Sequence, residues 1–334
     1  MKKSILGALI VMMFAAVGIA AAPPLTFTFS DVQANKTAME TDTFAVNNAG
    51  TIAGDYVDAK GVQHGMILAG KKLTTINDID IDKDCGTSGG FTSGAIAFHG
   101  INSAGAAAGW CTSTNTGLYE GFVYAGGKFT GVNFPKANGT QAIGINDKGA
   151  VVGLYLDSGN VRHGFLKVGT KYTSIDVKGD TSTEAWGINN SGQITVFAFG
   201  SSGGYESFIS NGKTFKAVSD PKAGTSGTIA RIVNNKGDVA GAYFNSAGSE
   251  IGFLLHGGKY YDVNDPKGVG GTRPDGLNDK IEIVGRYLTS SSATVGFKAT
   301  TKAAAGDNFV STTDTGVQDS GEWSLDRRQA SNIP

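Results

Sequence analysis

A set of polar and aromatic residues with clear binding chemistry precedes an asparagine that recurs along the sequence. Three residues before these asparagines stand Phe44, His99, Ile143, Trp186, Arg231 and Asp275. Five residues before them stand Asp42, Ala97, Gln141, Glu184, Ile229 and Arg273. Both positions vary within a sequence that otherwise repeats, and such a mixture of charged, polar and aromatic side chains is typical of a polar binding pocket. We therefore predict that the ligand-binding residues are His99, Gln141, Trp186, Arg231 and Arg273.

Three carboxylates of this set could instead support catalysis. Asp42, Glu184 and Asp275 would serve a polysaccharide-cleaving glycosidase or lyase. A glycosidase needs two carboxyl groups about 5–5.5 Å apart for retention or about 6.5–9.5 Å apart for inversion, and the sequence does not fix that separation. The four histidines show no zinc-binding spacing. Because no other catalytic signature is present, a binding protein without enzymatic activity is the favoured interpretation and the enzyme is the alternative.

An acidic segment and two cysteines predict two further sites. Asp78, Asp80, Asp82 and Asp84 alternate with other residues, so an extended chain would place four carboxylates on one side. Calcium suits such a group because it takes about six to eight oxygen ligands, and a solvated acidic loop is the alternative. Cys85 and Cys111 are the only cysteines. In an oxidising compartment they are predicted to form a disulfide worth about 3–4 kcal/mol, with two buried thiols as the alternative.

Composition narrows the class of protein. The 334 residues include 50 glycines and are 40% hydrophobic, so the chain has about twice the usual glycine content and still enough apolar residues for a packed core. Lys and Arg (28) nearly balance Asp and Glu (29), for a net charge of −1. Nucleic-acid binding normally depends on clustered basic residues. The sequence therefore predicts a turn-rich β protein with no nucleic-acid partner.

The recurring asparagine defines a repeat. It follows an apolar residue at Val46-Asn47, Ile101-Asn102, Ile145-Asn146, Ile188-Asn189, Val233-Asn234 and Leu277-Asn278. A glycine stands three residues after the asparagine in every copy except the sixth, which suits a hairpin with an Asx turn and a glycine at positive φ. The period is near 44 residues, with one longer interval that carries Cys85. Each period holds four short strands, which is typical of a β-propeller blade.

The number of fourth strands predicts how the ring closes. The sixth repeat lacks a fourth strand, whereas a matching segment, Phe27 to Val32, precedes the first repeat. We therefore predict an all-β fold, a six-bladed β-propeller of ~44-residue four-stranded repeats, closed by an N-terminal strand that completes the last blade. Aromatic residues that close the second strands are predicted to pack between blades with their hydroxyl groups hydrogen-bonded, and stacking on sugar rings is the alternative. They are Tyr56, Tyr155, Phe197, Tyr243 and Tyr287.

The repeat text resembles a known family. The segment from Gly144 to Tyr155, followed by His163-Gly164-Phe165 and Tyr172 to Asp176, is similar to bacterial extracellular repeats of the HAF family. The usual triplet of that family is His-Ala-Phe, from which His163-Gly164-Phe165 and His64-Gly65-Met66 depart. The resemblance covers residues 27 to about 298 and implies an exported bacterial propeller-like repeat protein. It implies no established activity and therefore no catalytic residue.

The chain ends predict export. Residues 1–20 combine Met1-Lys2-Lys3 with an apolar stretch and small residues at Gly18 and Ala20, as in a secretory signal peptide. The apolar stretch is shorter than the ~20 residues of a membrane span. Residues 21–300 are predicted to form the propeller and residues 301–334 a flexible tail rich in polar residues. We expect a secreted monomer, extracellular or periplasmic, with no membrane span.

These observations lead to a functional hypothesis with alternatives. The favoured interpretation is a secreted binding module that presents a polar and aromatic propeller face to a polysaccharide or a cell-surface protein. In the structural alternative, Phe44, Ile143 and Trp186 pack between blades, whereas Glu184, Arg231, Arg273 and Asp275 form ion pairs across the central channel. A further alternative is an assembly part whose tail makes the contacts. No cofactor other than calcium is expected.

Overall fold

The fold is built entirely from strands in the part of the chain that the structure describes. The computed structural model describes residues 25–79, 85–86, 96–113, 116–201 and 203–303, with backbone only at 78, 79, 85, 86, 302 and 303. Within these residues, six four-stranded antiparallel sheets form the ring and one two-residue ladder lies between the first two. No described helix is long and apolar enough to cross a membrane.

The six sheets are the blades, numbered along the chain. Blade 1 comprises β2 (Glu40–Val46), β3 (Ile52–Val57), β4 (Gln63–Ala69) and β5 (Lys72–Ile76). After the ladder of β6 (Asp78–Ile79) and β7 (Cys85–Gly86), blade 2 comprises β8 (Ile96–Ile101), β9 (Ala107–Thr112), β10 (Tyr119–Ala125) and β11 (Lys128–Gly131). Blade 3 comprises β12 (Gly139–Ile145), β13 (Val151–Leu156), β14 (Arg162–Val168) and β15 (Lys171–Ile175).

The remaining blades follow the same order. Blade 4 comprises β16 (Ser182–Ile188), β17 (Ile194–Phe199), β18 (Tyr205–Ser210) and β19 (Phe215–Val218). Blade 5 comprises β20 (Thr228–Val233), β21 (Val239–Phe244), β22 (Glu250–His256) and β23 (Lys259–Asp262). Blade 6 comprises β24 (Thr272–Leu277), β25 (Glu282–Leu288), β26 (Thr294–Ala303) and the N-terminal strand β1 (Leu25–Val32). The predicted six-bladed propeller is therefore confirmed.

The ring closes through β1, as the sequence predicts. This strand pairs antiparallel with β26 over its whole length, from Leu25 opposite Ala303 to Val32 opposite Gly296. The ring of Phe29 packs on that of Phe297 with centroids 5.6 Å apart. β26 runs three residues past the predicted boundary at residue 300. The predicted signal peptide and all but three residues of the predicted tail lie outside the described residues.

The repeated asparagine joins each blade to the next. In every hairpin its Oδ1 accepts two backbone N–H groups of the same turn, as at Lys148 and Ala150 for Asn146. Its Nδ2 donates to the carbonyl oxygen of the asparagine in the next blade, at 3.0–3.2 Å. Asn278 donates to Asn47 and completes the circle. The Asx turn is confirmed, whereas the bond between blades is a finding of the structure.

A bulge in the first strand of every blade directs one side chain toward the axis. Register shifts surround the position three residues before the asparagine in all six first strands. The next position is glycine or alanine in five of the six blades, with Ile232 as the exception, because the first strands approach closely there. A Cβ on Gly144, for example, would clash with the carbonyl oxygen of Trp186. The bulged side chain points away from this close approach into the channel, where residues of different size fit.

The aromatic residues that close the second strands belong to the core. Tyr56, Phe197, Tyr243 and Tyr287 are at most 6% exposed, and Tyr155 stacks on Phe134 with centroids 3.7 Å apart. Hydroxyl groups of the tyrosines contact side chains of the fourth strand, at Thr75, Ser174, Asp262 and Asp31. The packing role predicted for these residues is confirmed.

The two faces of the ring differ in their loops. The upper face carries the connections from second to third strands and from one blade to the next. The lower face carries the asparagine hairpins and the hairpins between third and fourth strands. Because β1 begins and β26 ends at the lower face, both described chain ends lie there. A site on the upper face is therefore remote from both ends.

Candidate functional site

The six bulged side chains meet in the central channel. Phe44, His99, Ile143, Trp186, Arg231 and Asp275 all line a cavity of about 80 Å³ that continues to the lower face. Ligand pockets that enclose a drug-sized molecule measure about 300–1,000 Å³, whereas each water occupies about 30 Å³. The cavity therefore has room for only a few water molecules and is too small for a sugar ring.

Aromatic and charged groups fill the channel. Phe44 and His99 stack with centroids 4.1 Å apart, and the guanidinium carbon of Arg231 lies 4.0 Å from the ring centroid of Trp186. Burial, together with the charges of Arg286 and Arg231, lowers the pKa of His99 to about 3, so the imidazole is neutral. Burial lowers the pKa of Arg231 to about 10 although Asp275 opposes the change. Arg231 remains charged at neutral pH.

Most of the residues that the sequence predicted for ligand binding or catalysis form ion pairs between neighbouring blades. Arg231 Nε lies 3.3 Å from Asp275 Oδ1, and both side chains are at most 3% exposed. Arg273 makes two hydrogen bonds to the Glu250 carboxylate, at 2.6 and 2.9 Å. The structure thus places Arg231 with Asp275 across the channel, in line with the structural alternative. Arg273 instead pairs with a carboxylate that the sequence did not single out.

The residues three and five positions before the repeated asparagine do not line one common pocket. Residues five before the asparagine, such as Gln141 and Arg273, lie in the blades above the cavity and are not part of its described lining. Gln141 is 3% exposed and pairs with Leu154 of β13. On a regular strand, residues two apart share a face. The bulge breaks that alternation and aims only the nearer residue at the axis.

The three carboxylates considered for catalysis are buried beside separate arginines. Asp42, Glu184 and Asp275 are at most 5% exposed. Asp42 lies 3.3 Å from Arg286, and Glu184 lies 2.8 Å from Arg162. Burial raises the pKa of Asp275, with a smaller contribution from Asp42, while the neighbouring arginines oppose the change. No observation of these three groups favours cleavage of a substrate.

A partly exposed arginine stands at the upper face between blades 3 and 4. Arg162, the first residue of β14, donates from Nη1 to Glu184 Oε1 at 2.8 Å. Trp186 Nε1 donates to the other carboxylate oxygen of Glu184 at 3.0 Å. The Arg162 side chain is 24% exposed, whereas that of Glu184 is 2% exposed. The buried carboxylate therefore holds both the partly exposed arginine and the channel-lining indole of Trp186.

Two tyrosines flank this arginine. Tyr119 and Tyr205 begin the third strands of blades 2 and 4, the position that Arg162 occupies in blade 3. Burial acts to lower the pKa of Arg162, but Glu184, with smaller contributions from Tyr119 and Tyr205, raises it overall. Both tyrosine rings are partly exposed. We call Tyr119, Arg162, Glu184, Trp186 and Tyr205 the Arg162 cluster.

The sequence identified only part of this cluster. It singled out Glu184 and Trp186 because they vary among the first strands. Arg162, Tyr119 and Tyr205 were missed because a first residue of a third strand has no distinguishing pattern. Their common place in the repeat, just after the loop that precedes the third strand, was the one available signal.

Blades 1 and 3 each carry a histidine with polar side-chain partners near the upper face. His163 Nδ1 lies 2.6 Å from Asp176 and its Nε2 lies 3.4 Å from Asp157. The ring stacks beside Tyr155 with centroids 5.1 Å apart. Burial acts to lower the pKa of His163, but hydrogen bonds to Asp176 and Asp157 outweigh it and raise the pKa above 6.5. His64 occupies the same position between Asn77 and Asp58.

The raised pKa of His163 predicts a pH-dependent contribution to stability. A raised folded-state pKa means that the stabilisation is fully present below the unfolded pKa of ~6.5 and disappears as pH rises through the folded pKa. We expect H163Q to cost about 0.2–1 kcal/mol at pH 5.5 and less at pH 8.5, because exposed ion pairs contribute little. Urea unfolding of both proteins at the two pH values measures this. A cost that grows with pH would contradict the assignment.

The predicted calcium site and disulfide stay predictions. Asp80, Asp82 and Asp84 lie outside the described residues, and of Asp78 and Cys85 only the backbone is described. Asp78 pairs with Gly86 and Ile79 with Cys85 in the short ladder. Cys111 is fully buried on β9. Within the described residues, no group of three or more His, Cys, Asp or Glu side chains could hold a metal ion.

Comparison with known proteins identifies structural relatives only. No protein-family model and no curated protein sequence matches the chain, so the resemblance to HAF repeats stays a prediction. A fucose-specific lectin from Aleuria aurantia is similar with a TM-score of 0.51 at 13% identity, over 80% of this chain and 96% of the lectin. A mutant of that lectin in complex with Fucα1-6GlcNAc gives 0.50 at 12% identity, over 80% and 96%.

A second fungal protein has the same fold. AofleA from Arthrobotrys oligospora is similar with a TM-score of 0.51 at 8% identity, over 84% of this chain and 91% of that protein. At such low identities the likeness extends to the fold, a six-bladed propeller, and not to individual residues.

Proposed function

We propose that this protein is a secreted carbohydrate-binding propeller that recognises a saccharide at the Arg162 cluster. One observation carries the proposal: a partly exposed arginine is held by a buried carboxylate on the blade between those of two partly exposed tyrosines. The saccharide would belong to a polysaccharide or to a glycosylated cell-surface partner. Secretion, into the periplasm or the extracellular space, rests on the predicted signal peptide at residues 1–20.

The chemistry of the cluster suits sugar hydroxyl groups. A guanidinium has five N–H donors, and Glu184 accepts a hydrogen bond from Nη1 of Arg162. The remaining donors can reach neighbouring hydroxyl oxygens of one sugar ring. Tyrosine rings provide apolar faces for the C–H groups of a sugar and hydroxyl groups for its polar edge. Glu184 neutralises Arg162, so the cluster does not favour polyanions.

The structural relatives support the class of ligand. They include a fucose-specific lectin and a mutant of it in complex with a fucose-containing disaccharide. A saccharide is therefore the first ligand class to test for this chain, and fucosides belong in the test set. The residues that would bind the sugar here come from the geometry of this chain alone.

The structure predicts a single site of this kind within the described ring. The corresponding pair between blades 5 and 6 has the reverse order, with Glu250 on the third strand and Arg273 on the first. Both of its side chains are at most 4% exposed. Only the pair between blades 3 and 4 combines a third-strand arginine with exposure to solvent. We therefore expect one saccharide per chain.

A saccharide panel with matched variants tests the proposal. We expect wild-type protein to be retained on at least one immobilised saccharide and Arg162→Met to lose roughly tenfold or more in affinity, because hydrogen bonds to a charged donor contribute about 1.5–3 kcal/mol. Lys222→Met removes an exposed cation paired with Asp262 and serves as the control. Equal affinity of wild type and Arg162→Met, or no retention on any saccharide, would refute the proposal. Assay of new chain ends detects cleavage.

A further inference from the structure

Five of the six large hydrophobic residues that are exposed in the described chain lie on the upper face. Met39 and Val269 lie in connections between blades, whereas Leu118, Val161 and Phe199 lie at the upper ends of blades 2, 3 and 4. The latter three are 39%, 41% and 38% exposed. Each stands beside the first residue of the third strand of its own blade. Leu118 precedes Tyr119, Val161 precedes Arg162, and Phe199 pairs across the sheet with Tyr205.

The six residues therefore form a repeated pair on three consecutive blades. We call Leu118, Tyr119, Val161, Arg162, Phe199 and Tyr205 the apolar arc. Its three pairs follow one another around the upper face, because the third strands of blades 2, 3 and 4 begin there. The rings of Phe199 and Tyr205 meet at 5.4 Å in an edge-to-face contact. The arc shares Tyr119, Arg162 and Tyr205 with the Arg162 cluster and extends beyond that cluster on both sides.

Blades 1 and 5 expose less apolar surface at these positions. In blade 5 the corresponding residues, Phe244 and Glu250, are at most 9% exposed. In blade 1 the second strand ends at Val57, which is 1% exposed, and the third strand begins with the polar Gln63, preceded by the partly buried Val62. Blades 2 to 4 are therefore the adjacent blades of the described ring that place an exposed apolar side chain beside an aromatic or cationic residue at the start of the third strand. Clustered exposed apolar groups beside polar anchors mark interaction sites.

We propose that the ligand is a saccharide chain of several units lying across blades 2 to 4. The inference rests on the proposed function and extends it. One unit contacts Arg162, and the neighbouring units lie on the pairs Leu118–Tyr119 and Phe199–Tyr205. The arc contains one charged residue, Arg162, which Glu184 neutralises. An uncharged chain with alternating C–H faces and hydroxyl groups matches such a surface, whereas an acidic polymer lacks a cationic row to bind.

The surface predicts how affinity depends on chain length. For wild-type protein, affinity should increase along a series of oligosaccharides of the retained saccharide, from one unit upward. Leu118→Ser and Phe199→Ser should each weaken binding of the longest oligosaccharide about five- to tenfold, because each removes apolar contact area. Neither variant should change binding of the shortest one. Arg162→Met should weaken binding at every length.

Two exposed valines provide matched controls for titration calorimetry. Val269 is 52% exposed on the upper face between blades 5 and 6, and Val168 is 57% exposed at the lower face. Val269→Ser and Val168→Ser should bind every oligosaccharide as the wild type does. Both replacements introduce a serine hydroxyl group at an exposed position outside the arc. They therefore separate a general effect of a more polar surface from an effect of the arc residues.

The outcomes distinguish this inference from the proposed function. Affinity that is independent of length, with Arg162→Met still defective, would overturn the extended site and leave the Arg162 cluster intact. Equal losses for Val269→Ser and Phe199→Ser would also overturn it. If no saccharide binds at any length, both the inference and the proposed function fail. In that case, binding of a protein that Phe199→Ser abolishes would assign the arc to a protein partner.

Discussion

We expect a protein that begins at residue 33, and therefore lacks β1, to be unfolded at 25 °C and to show no cooperative unfolding transition on heating. β1 forms eight consecutive pairs with β26, and its rings Phe27 and Phe29 pack on the core of blade 6. Asp31 also accepts hydrogen bonds from Tyr287 and Lys267. Loss of β1 removes the edge strand of blade 6, and with it the contacts of Val32 in the cluster that includes Val46 and Met66 of blade 1, so the closure of the ring is lost.

The magnitude follows from the marginal stability of folded domains. Complete burial of a large side chain contributes about 1.5–3 kcal/mol, so the partly buried Phe27 and Phe29 contribute less than that each, and the eight-residue backbone pairing with β26 is lost as well. Together these losses approach the total of about 5–15 kcal/mol by which a domain is stable. Circular dichroism during heating measures the transition. The point variant Phe29→Ala should unfold at a lower temperature but still cooperatively, and Thr28→Ser, on an exposed position, should melt as the wild type does.

A truncated protein that keeps the wild-type melting temperature would contradict closure through β1. Gradual loss of signal confined to blade 6, with the other blades unchanged, would contradict it as well. Hydrogen exchange separates the two cases, since the asparagine hairpins of all six blades should lose protection together if the ring opens as one unit.

Arg273→Met is expected to destabilise the protein by about 3–5 kcal/mol. Arg273 and Glu250 are 4% and 1% exposed, respectively, and joined by two hydrogen bonds. Removal of the arginine leaves a carboxylate buried between blades 5 and 6 without its counter-charge. For a domain of this size, such a loss lowers the melting temperature by roughly 6–20 °C. Urea unfolding curves give the free energy directly.

The double variant separates pairing from packing. Replacement of both partners, Arg273→Met with Glu250→Leu, should recover most of the lost stability, because a buried pair replaced by apolar groups is often nearly neutral. Lys222→Met, which breaks an exposed pair with Asp262, should cost at most about 1 kcal/mol. If Arg273→Met costs no more than Lys222→Met, Arg273 has no structural role, and the ligand-binding role expected from the sequence regains support.

The fold was predictable because the same sequence pattern recurs six times along the chain. Each apolar-Asn unit marks one inner hairpin, and the segment from Phe27 to Val32 matches the fourth strands closely enough to predict closure. The sixth repeat shows the limit of this reading. Ile281 stands where the other copies have glycine, and its φ of 59° keeps the same turn. Tertiary context therefore overrides the local preference of the residue.

The candidate site was only partly predictable, for two physical reasons. A bulge adds one residue to a strand and has no required residue type, so the sequence did not show that Phe44 and Arg231 turn to the axis while Arg273 does not. Contacts between blades are equally hidden. Arg162 and Glu184 are 22 residues apart, and only the assembled ring brings the third strand of one blade against the first strand of the next.

The ends of the chain bear on how the site is displayed. Both β1 and β26 reach the lower face, and the Arg162 cluster lies on the upper face. The two described ends of the chain therefore lie on the face opposite the cluster. This arrangement suits a module that presents one face to a partner, in agreement with the proposed function.

A crystal structure with the saccharide retained in the panel tests the central proposal most directly. We predict density for one saccharide per chain, with a sugar ring between Tyr119 and Tyr205 and hydroxyl oxygens within hydrogen-bond distance of Arg162. Density for the sugar in the axial channel, at His99 and Arg231, or in the gaps between other blades, with the Arg162 cluster empty, would contradict the account.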